Sequence, residues 1–245
     1  MSQALASFPA VSAGTTAGRS REGPRARPVD RLAARLFPAA CPGCGAPGEP
    51  LCRGCARGLV RAVAAPAPPG LDLLVAPLSY EGVARELVAR LKYRNARHAV
   101  TFLAGIVAAA LREGPAREAV VGPGRGLAVT WVPTTPARRR ERGFDHAELL
   151  AGALGRELGQ PVGPLLSRPH GPAQTGRPRA ERRRAAPSFE PARPGWPGPV
   201  VLVDDVVTTG ATLGAAARAL RGAGATAVVG AVVARTPPPW CRGSR

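Results

Sequence analysis

Apolar residues along the chain follow two patterns that alternate from residue 71 to residue 235. The first pattern is a short continuous apolar run, which is typical of a strand buried on both faces of a parallel sheet. We therefore predict strands in four segments: Leu71–Tyr80, Leu127–Pro133, Val200–Val203 and Thr226–Arg235.

The second pattern places apolar residues three or four positions apart, which predicts helices with one buried face. Such stripes fall in Val83–Leu91, in Ala99–Leu111, after Asp145 and after Gly210. Asp145 and Glu148 fit a capping box, whereas the stretch TTPARRRERGF before them is predicted to be a loop. The alternation of strands and helices predicts an α/β fold with a twisted, mostly parallel sheet covered by helices.

The remaining segments suggest how the 245 residues are divided. Residues 1–28 have no apolar period and are predicted to be a disordered basic tail. A short helix at Val29–Phe37 and a cysteine cluster occupy residues 29–63, and the Pro/Ala-rich stretch 64–70 is predicted to be a linker. The predicted α/β domain covers residues 71–236, and residues 237–245 form a C-terminal tail.

The cysteine cluster consists of two Cys-x-x-Cys pairs. Cys41 and Cys44 form the first pair, and Cys52 and Cys55 form the second. One tight turn aims both sulfurs of such a pair at one ion, so four thiolates predict a closed, structural zinc site. A disulfide or redox pair is the alternative, and it is weaker in a cytoplasmic protein. Cys241 stands apart and is predicted to be a thiol without function.

The most informative stretch is VVLVDDVVTTGAT at residues 200–212. Asp204 and Asp205 end a buried strand, and a turn rich in hydroxyl groups leads into a helix. Free N–H groups, hydroxyls and a glycine at a helix start favour phosphate binding. Two carboxylates beside a phosphate repel it unless they bind sugar hydroxyls or a metal ion. The stretch therefore predicts a site for a phosphorylated ribose.

Commoner phosphate loops do not fit this order of residues. The chain has no G-x-x-x-x-G-K-[ST] motif, and the glycines of GPGRG at 122–126 precede a predicted strand instead of following one. The pattern of residues 200–212 resembles the phosphoribosyl diphosphate (PRPP) loop of type I phosphoribosyltransferases.

Composition adds a strong positive charge. The formal net charge is +18, and Lys92 is the one lysine among 34 basic residues. This excess attracts polyanions, but an Arg-rich compositional bias explains it as well. Aromatic residues make up only 4% of the chain, which is little for stacking unpaired bases. The sequence shows no apolar run long enough to cross a bilayer and no secretory signal, so we expect a cytoplasmic protein.

From about residue 30 onward, the order of motifs resembles the ComF competence-protein family. The matching stretches are the cysteine pairs, LKYR at 91–94, VP followed by RRRERGF at 132–144, Gln174-Thr175 followed by ERR at 181–183, and the acid-rich turn. The resemblance implies a type I phosphoribosyltransferase-like fold and a link to DNA uptake in natural transformation. Asp145 and His146 depart from it, because similar proteins usually carry Asn-Gln there.

The resemblance also implies roles for single residues. Asp204 and Asp205 would hold the ribose hydroxyls, directly or through Mg²⁺. The 5′-phosphate would bind residues 208–212, which are Thr208, Thr209, Gly210, Ala211 and Thr212. The diphosphate would face a weaker set: Lys92, Pro133, Thr134, Arg138, Arg140 and Arg142.

Two functions follow from these observations. The first is a PRPP-binding protein that uses Mg²⁺ and has structural zinc, with transfer to an unknown acceptor. The second is a noncatalytic accessory protein that binds single-stranded DNA through its arginine-rich segments, such as Arg182 and Arg183, and works with other competence proteins.

Overall fold

The computed structural model describes residues 40–47, 51–91, 97–121, 126–168, 187–192 and 196–238. All of them lie in one compact unit, residues 39–245. Several predictions fall outside these ranges: the basic tail, the helix Val29–Phe37, Lys92, the ERR segment and Cys241.

The described elements alternate between helices and strands. The helices are α1 (Arg53–Arg57), α2 (Gly82–Leu91), α3 (Arg97–Leu111), α4 (Gly114–Val121), α5 (Pro136–Arg142), α6 (His146–Leu158) and α7 (Ala211–Gly222). The strands are β1 (Leu73–Val75), β2 (Leu78–Ser79), β3 (Ala128–Trp131), β4 (Leu166–Ser167), β5 (Glu190–Pro191), β6 (Pro199–Val207) and β7 (Ala227–Arg235).

The main sheet is parallel in every pairing, in the order β1-β7-β6-β3, with β2 also paired to β7. Leu73 pairs with Val229 and Leu78 with Ala234, so β1 and β2 keep one register and form a single edge strand interrupted at Ala76 and Pro77. Proline cannot donate to a strand ladder, which explains the break and its place at an edge. The predicted parallel α/β fold is confirmed.

Both faces of the central strands are buried, because β6 and β7 are almost entirely apolar. Val200 and Leu202 pack in a cluster with α7, including Leu213 and Leu220. Neighbouring Val201 points to the opposite face, where α3 and α6 cover the sheet. All four residues of the predicted strand Val200–Val203 are fully buried, as the continuous run indicated.

Short segments lie along both sheet edges. Residues leaving the cysteine cluster pair with the β2 edge, where Ser79 N donates to Val60 O at 2.8 Å. On the other edge, Val129 of β3 donates to Pro161 O at 2.9 Å and accepts from Gly163 N at 3.1 Å. The outer strands therefore have partners on both sides over part of their length.

Two helices differ from the sequence prediction. The stretch predicted to be a loop contains α5. Thr135 caps the N-terminus of this helix, because its side chain accepts a hydrogen bond from Arg138 N, and Pro136 lies in the first turn. Gly143 ends α5 at φ 77°, a left-handed conformation that favours glycine. The loop prediction was wrong because it gave weight to three consecutive arginines. It overlooked the N-terminal cap, the proline in the first turn and the C-terminal glycine, which are ordinary helix start and stop signals. Helix α4 was not predicted.

The predicted linker, residues 64–70, lies across the start of α7. Pro68 packs so closely on Gly210 that a Cβ there would lie 2.2 Å from the proline ring. A Cβ at Gly214 would lie 2.6 Å from the carbonyl oxygen of Pro69. Arg221 then pairs with Asp72 and completes the attachment. We refer to residues 63–70 as the strap.

We expect Gly214→Ala to lower the free energy of unfolding by about 1–3 kcal/mol, because the added methyl collides with strap backbone. Gly152→Ala is the matched control, since nothing lies within 4 Å of a Cβ at this helical position. There the alanine should add up to about 1 kcal/mol of helix stability. Thermal or urea denaturation measures both, and a Gly214→Ala protein as stable as the wild type contradicts this account of the strap.

Candidate functional site

The four cysteines of the N-terminal pairs come together. Their Sγ atoms all lie within 4.8 Å of one another, and those of Cys44 and Cys52 are 3.7 Å apart. A tetrahedral zinc ion with Zn–S bonds of about 2.3 Å would separate its sulfurs by about 3.8 Å. The cluster can therefore hold one metal ion, as the spacing predicted, and its geometry is consistent with zinc.

Local backbone structure aims the sulfurs inward. Gly45 adopts φ 82° and donates to Cys41 O, which closes the first turn. The Cys52 side chain caps α1 by accepting from Cys55 N at 3.4 Å. A Cβ at Gly43 would lie 2.6 Å from Cys55 Sγ and 3.3 Å from Val83 of α2. Glycine at position 43 thus lets the cluster close and dock on α2.

The thiols differ in their tendency to ionise. Burial raises the pKa of Cys41, but hydrogen bonds from Cys52, Cys44 and Gly43 outweigh it and leave that pKa at about 6. Burial, together with hydrogen bonding to the other thiols, raises the pKa of Cys55 to about 12. One thiolate is thus favoured before any cation arrives, and a bound cation would favour the other three.

We expect the purified protein to contain one zinc ion per chain. Cys44→Ser should abolish this and lower the melting temperature, because Cys44 is exposed and its replacement removes a ligand without opening a cavity. Cys241→Ser is the control and should leave the zinc content unchanged. Elemental analysis with a thermal melt measures both effects, and full zinc content in Cys44→Ser would rule out a four-cysteine site.

A second candidate site lies where β3 and β6 end. We call this cleft of about 270 Å³ the acid cleft. Its lining is Val132, Pro133, Thr134, Arg138, Asp145, His146, Ala147, Arg168, Asp204, Asp205 and Thr212. Ligands of open α/β sheets bind at this edge, beyond the carboxyl ends of the strands.

Asp204 and Asp205 stand side by side at the end of β6. Asp204 Oδ1 accepts from Asp205 N at 2.8 Å, and Asp205 Oδ1 accepts from Val206 N at 2.7 Å. His146 Nε2 lies 3.0 Å from Asp205 Oδ2, and both side chains are largely buried. Burial raises the pKa of Asp204 well above its usual value, and the negative charge of Asp205 raises it further. The pair therefore favours a positive charge or a hydrogen-bond donor in the cleft.

Asp145 connects α6 to the end of β3. One carboxylate oxygen accepts from Ala147 N at 3.0 Å and caps the helix, and the other accepts from Thr134 N at 2.8 Å. Glu148, the second member of the predicted capping box, instead pairs with Arg139 at 3.3 Å. Asp145, which departs from the ComF pattern, thus fixes the loop after β3 in place.

Two arginines face these acids. Arg168, just after β4, donates from Nε to Pro133 O at 2.9 Å and stacks on Phe189, with 4.9 Å from its Cζ to the ring centroid. Burial lowers the pKa of Arg168, as does nearby Arg138, while Asp204 acts in the opposite direction. Arg168 was not singled out in the sequence, because it is one of many arginines in a segment without a period.

The turn after β6 has the hydroxyls, glycine and helix start that the sequence indicated. Gly210 adopts φ 78° at the start of α7, and Thr209 Oγ1 accepts from Ala211 N at 3.4 Å. Thr212 faces the acid cleft. Thr208 and Thr209 line a second cleft beside β7.

The structure thus brings part of the predicted site together. Six predicted residues line the acid cleft: Pro133, Thr134, Arg138, Asp204, Asp205 and Thr212. Arg140 is exposed on α5 and does not line that cleft. The side chain of Arg142 and the whole of Lys92 lie outside the described parts. His146 and Arg168 join the site although the sequence gave no clear signal for either.

No protein-family model matches the chain. The chain is 30% identical over 152 residues to competence protein ComFC of Bacillus subtilis (strain 168). The resemblance to the ComF proteins is confirmed. The matched region is 62% of this chain and 59% of the ComFC chain, so it leaves a large part of that relative unmatched.

Among solved structures, the chain is similar to one titled the allosteric regulatory enzyme of purine biosynthesis. The sequences are 18% identical, the TM-score is 0.37, and the match covers 60% of this chain and 30% of the other.

Within the described ranges, no helix combines the length and apolar character that crossing a bilayer requires.

The raised pKa of Asp204 implies a pH-dependent stability. The folded state favours the protonated carboxyl of Asp204. Its contribution to the free energy of unfolding is therefore fully present below the usual carboxyl pKa, and it is lost as pH rises toward the pKa of Asp204 in the folded state. We expect Asp204→Asn to raise the melting temperature at pH 7 by about 2–4 °C, with a smaller gain below pH 4. Melts across pH measure this, and a destabilised Asp204→Asn protein at pH 7 contradicts it.

Proposed function

We propose that the chain binds PRPP with Mg²⁺ and transfers its ribose 5-phosphate group to an acceptor. The observation that carries this proposal is the acid cleft of about 270 Å³, which is lined by two adjacent acids, two arginines and the hydroxyl group of Thr212 at the start of α7. PRPP has two separate anionic groups joined by a sugar diol. The cleft offers guanidinium groups and a hydroxyl group beside carboxylate acceptors.

The sugar fits the acids. Two free ribose hydroxyls donate hydrogen bonds, and the carboxylates of Asp204 and Asp205 can only accept while ionised. The electrostatic repulsion between the two neighbouring carboxylates falls when hydrogen-bond donors or a cation occupy the cleft. The 5′-phosphate would then reach the turn of residues 208–212, where N–H groups at the start of α7 and the Thr212 hydroxyl can donate.

The diphosphate fits the arginines of the cleft. Arg138 and Arg168 line the cleft, and a guanidinium donates two parallel hydrogen bonds to phosphate oxygens. Arg168 is held in place by Pro133 O and Phe189, so little side-chain freedom remains to be lost on binding. When the bond from C1′ to diphosphate breaks, negative charge grows on the leaving group. Fixed arginines stabilise that charge most where it develops.

A magnesium ion fits the donor set. Hard oxygen ligands suit Mg²⁺, which usually takes one or two carboxylates together with substrate phosphates. Asp204 and Asp205 would hold it from the protein side. The ion would supply positive charge to the diphosphate and sugar oxygens. His146, 3.0 Å from Asp205, would keep that carboxylate aimed into the cleft.

The similarity to competence protein ComFC supports a place for this binding activity in competence. We propose that the chain acts in the cytoplasm alongside other competence proteins, with the cysteine cluster holding structural zinc. The ERR segment that would bind single-stranded DNA lies outside the described residues, so the acid cleft carries the proposed function.

Millimolar PRPP with Mg²⁺ should raise the melting temperature of the protein. A ligand at about 100 times its Kd adds about 2.7 kcal/mol of stability. Asp205→Asn should abolish the shift because it removes the charge that holds sugar and ion. Glu118→Gln, which removes an exposed acid from α4, is the control and should keep the shift. A wild-type protein that shows no shift contradicts the proposal.

A second pair of variants separates the two ends of the ligand. Arg168→Ala should weaken binding of inorganic diphosphate about tenfold or more and leave ribose 5-phosphate little changed. Arg140→Ala removes an exposed arginine outside the cleft and should change neither. Equal losses in both variants would show that overall positive charge, not the cleft, binds the anion.

A further inference from the structure

The cysteine cluster has an accessible edge. Cys44 is exposed and Cys52 is half-buried, whereas Cys41 and Cys55 are buried. The Sγ atoms of Cys44 and Cys52 lie 3.7 Å apart, although the two residues belong to different Cys-x-x-Cys pairs. A disulfide needs its sulfurs about 2 Å apart. A small shift of the exposed turn is therefore enough to join Cys44 to Cys52.

Such a bond would dismantle the metal site. A structural zinc ion takes four ligands, and joining Cys44 to Cys52 leaves only the buried Cys41 and Cys55. Cys55 would then lose the bridge that ties α1 to the first turn. This helix has only five residues, so it depends on such ties to stay folded. Oxidation would therefore release the metal ion and loosen α1.

The chain that leaves α1 leads directly into the strap. Ser79 N donates to Val60 O at 2.8 Å, and Ala62 N donates to Pro77 O at 3.1 Å, so backbone hydrogen bonds hold this segment along the β2 edge. Val60 and Val63 are exposed, and the strap that follows consists of alanine, proline and glycine. An attachment that buries so little apolar surface depends on both of its ends being held.

The other end of the strap covers the turn after β6. Pro68 packs against Gly210, which starts α7 in a left-handed conformation. The strap also forms a wall of the cleft that Thr208 and Arg235 line. A turn that binds phosphate through backbone N–H groups binds more tightly when those groups are fixed before the ligand arrives. Release of the strap would remove that support from the turn.

We propose that the cysteine cluster and the strap form a latch that hydrogen peroxide opens. In the closed state, the metal-bound cluster holds the chain before the strap along β2, and the strap covers the turn after β6. In the open state, a disulfide between Cys44 and Cys52 has replaced two metal ligands, and the strap leaves the turn. The opening does not depend on the proposed function, but its effect, weaker binding of PRPP, rests on it.

The chemistry balances with peroxide as the oxidant. The thiolate of Cys44 attacks one oxygen of hydrogen peroxide, the O–O bond breaks and hydroxide leaves, so that Cys44 becomes a sulfenic acid. The thiolate of Cys52 then attacks that sulfur, and a second hydroxide leaves as the disulfide forms. The two cysteines lose two electrons and the peroxide gains them. Two protons from solvent convert the hydroxides to water.

Peroxide treatment of the zinc-loaded full chain tests the latch. The Cys241→Ser protein is the parent protein, because it leaves the four cluster cysteines as its only thiols. We expect peptide mapping to find a disulfide between Cys44 and Cys52, with zinc released to a coloured chelator. A disulfide within one Cys-x-x-Cys pair, or zinc that stays bound, overturns the proposal.

Hydrogen–deuterium exchange then shows whether the strap opens. The amides of Ala62, Leu71 and Ser79 donate hydrogen bonds that attach the strap and the segment before it. After oxidation, these amides should exchange at least about tenfold faster, whereas β7 stays protected. Dithiothreitol with zinc should restore slow exchange. Unchanged exchange at these amides, or an equal loss of protection in β7, overturns the latch.

Cys44→His is the matched variant, because histidine keeps a zinc ligand at position 44 and removes the exposed thiol. It should hold one zinc ion, and its strap amides should keep slow exchange in peroxide. If it opens as readily as the parent protein, peroxide does not act at Cys44 and the proposal fails. If this variant does not hold zinc, the disulfide and the exchange rates of the parent protein decide the proposal by themselves.

A thermal melt with PRPP separates the latch from the proposed function. Oxidation should reduce the rise in melting temperature that PRPP with Mg²⁺ gives, and dithiothreitol with zinc should restore it. An unchanged rise after the strap opens overturns the effect on binding. A reduced, zinc-loaded protein that shows no rise contradicts the proposed function, while exchange at the strap amides still decides whether the latch exists.

Discussion

The repulsion between two neighbouring carboxylates at the end of β6 is the constraint around which this part of the molecule is built. Backbone N–H groups hold one oxygen of each, and His146 meets the second oxygen of Asp205. Arginine side chains approach from α5 and from the residue after β4. These contacts fix the acids without neutralising both of them. The fold thus keeps two closely spaced acids at a position where a ligand can reach them.

The cysteine cluster, the strap and the acid-rich turn form one continuous structural path. The cluster docks on Val83 of α2, the chain then pairs with β2, and the strap crosses α7 at Gly210 and Gly214. The same strap forms a wall of the cleft that contains Arg235. A metal ion that holds the cysteine turns would therefore also hold a wall of that cleft. Distance along the sequence conceals this closeness in space.

Local patterns in the sequence predicted the central parts of the fold. Continuous apolar runs located β3, β6 and β7, and the cysteine spacing located the metal cluster, because both signals depend on near neighbours. The strap was predicted to be a linker, because proline and alanine are typical of linkers. In the structure it packs on glycines about 140 residues further along the chain, and no local pattern indicates such distant contacts. Arg168 enters the acid cleft only through the tertiary fold. No local signal distinguishes it from the exposed arginines around it.

The covered sheet edges have a consequence for how the chain behaves at high concentration. Open strand edges expose unpaired N–H and C=O groups and recruit other chains into intermolecular sheets. Here Pro77 interrupts one outer strand, and the segments at Val60 and Pro161 occupy backbone groups on the two rims. On the main sheet, as far as the described residues show it, self-association by strand addition thus has few docking points. A strongly basic chain can then be kept apart from its copies by charge as well as by shape.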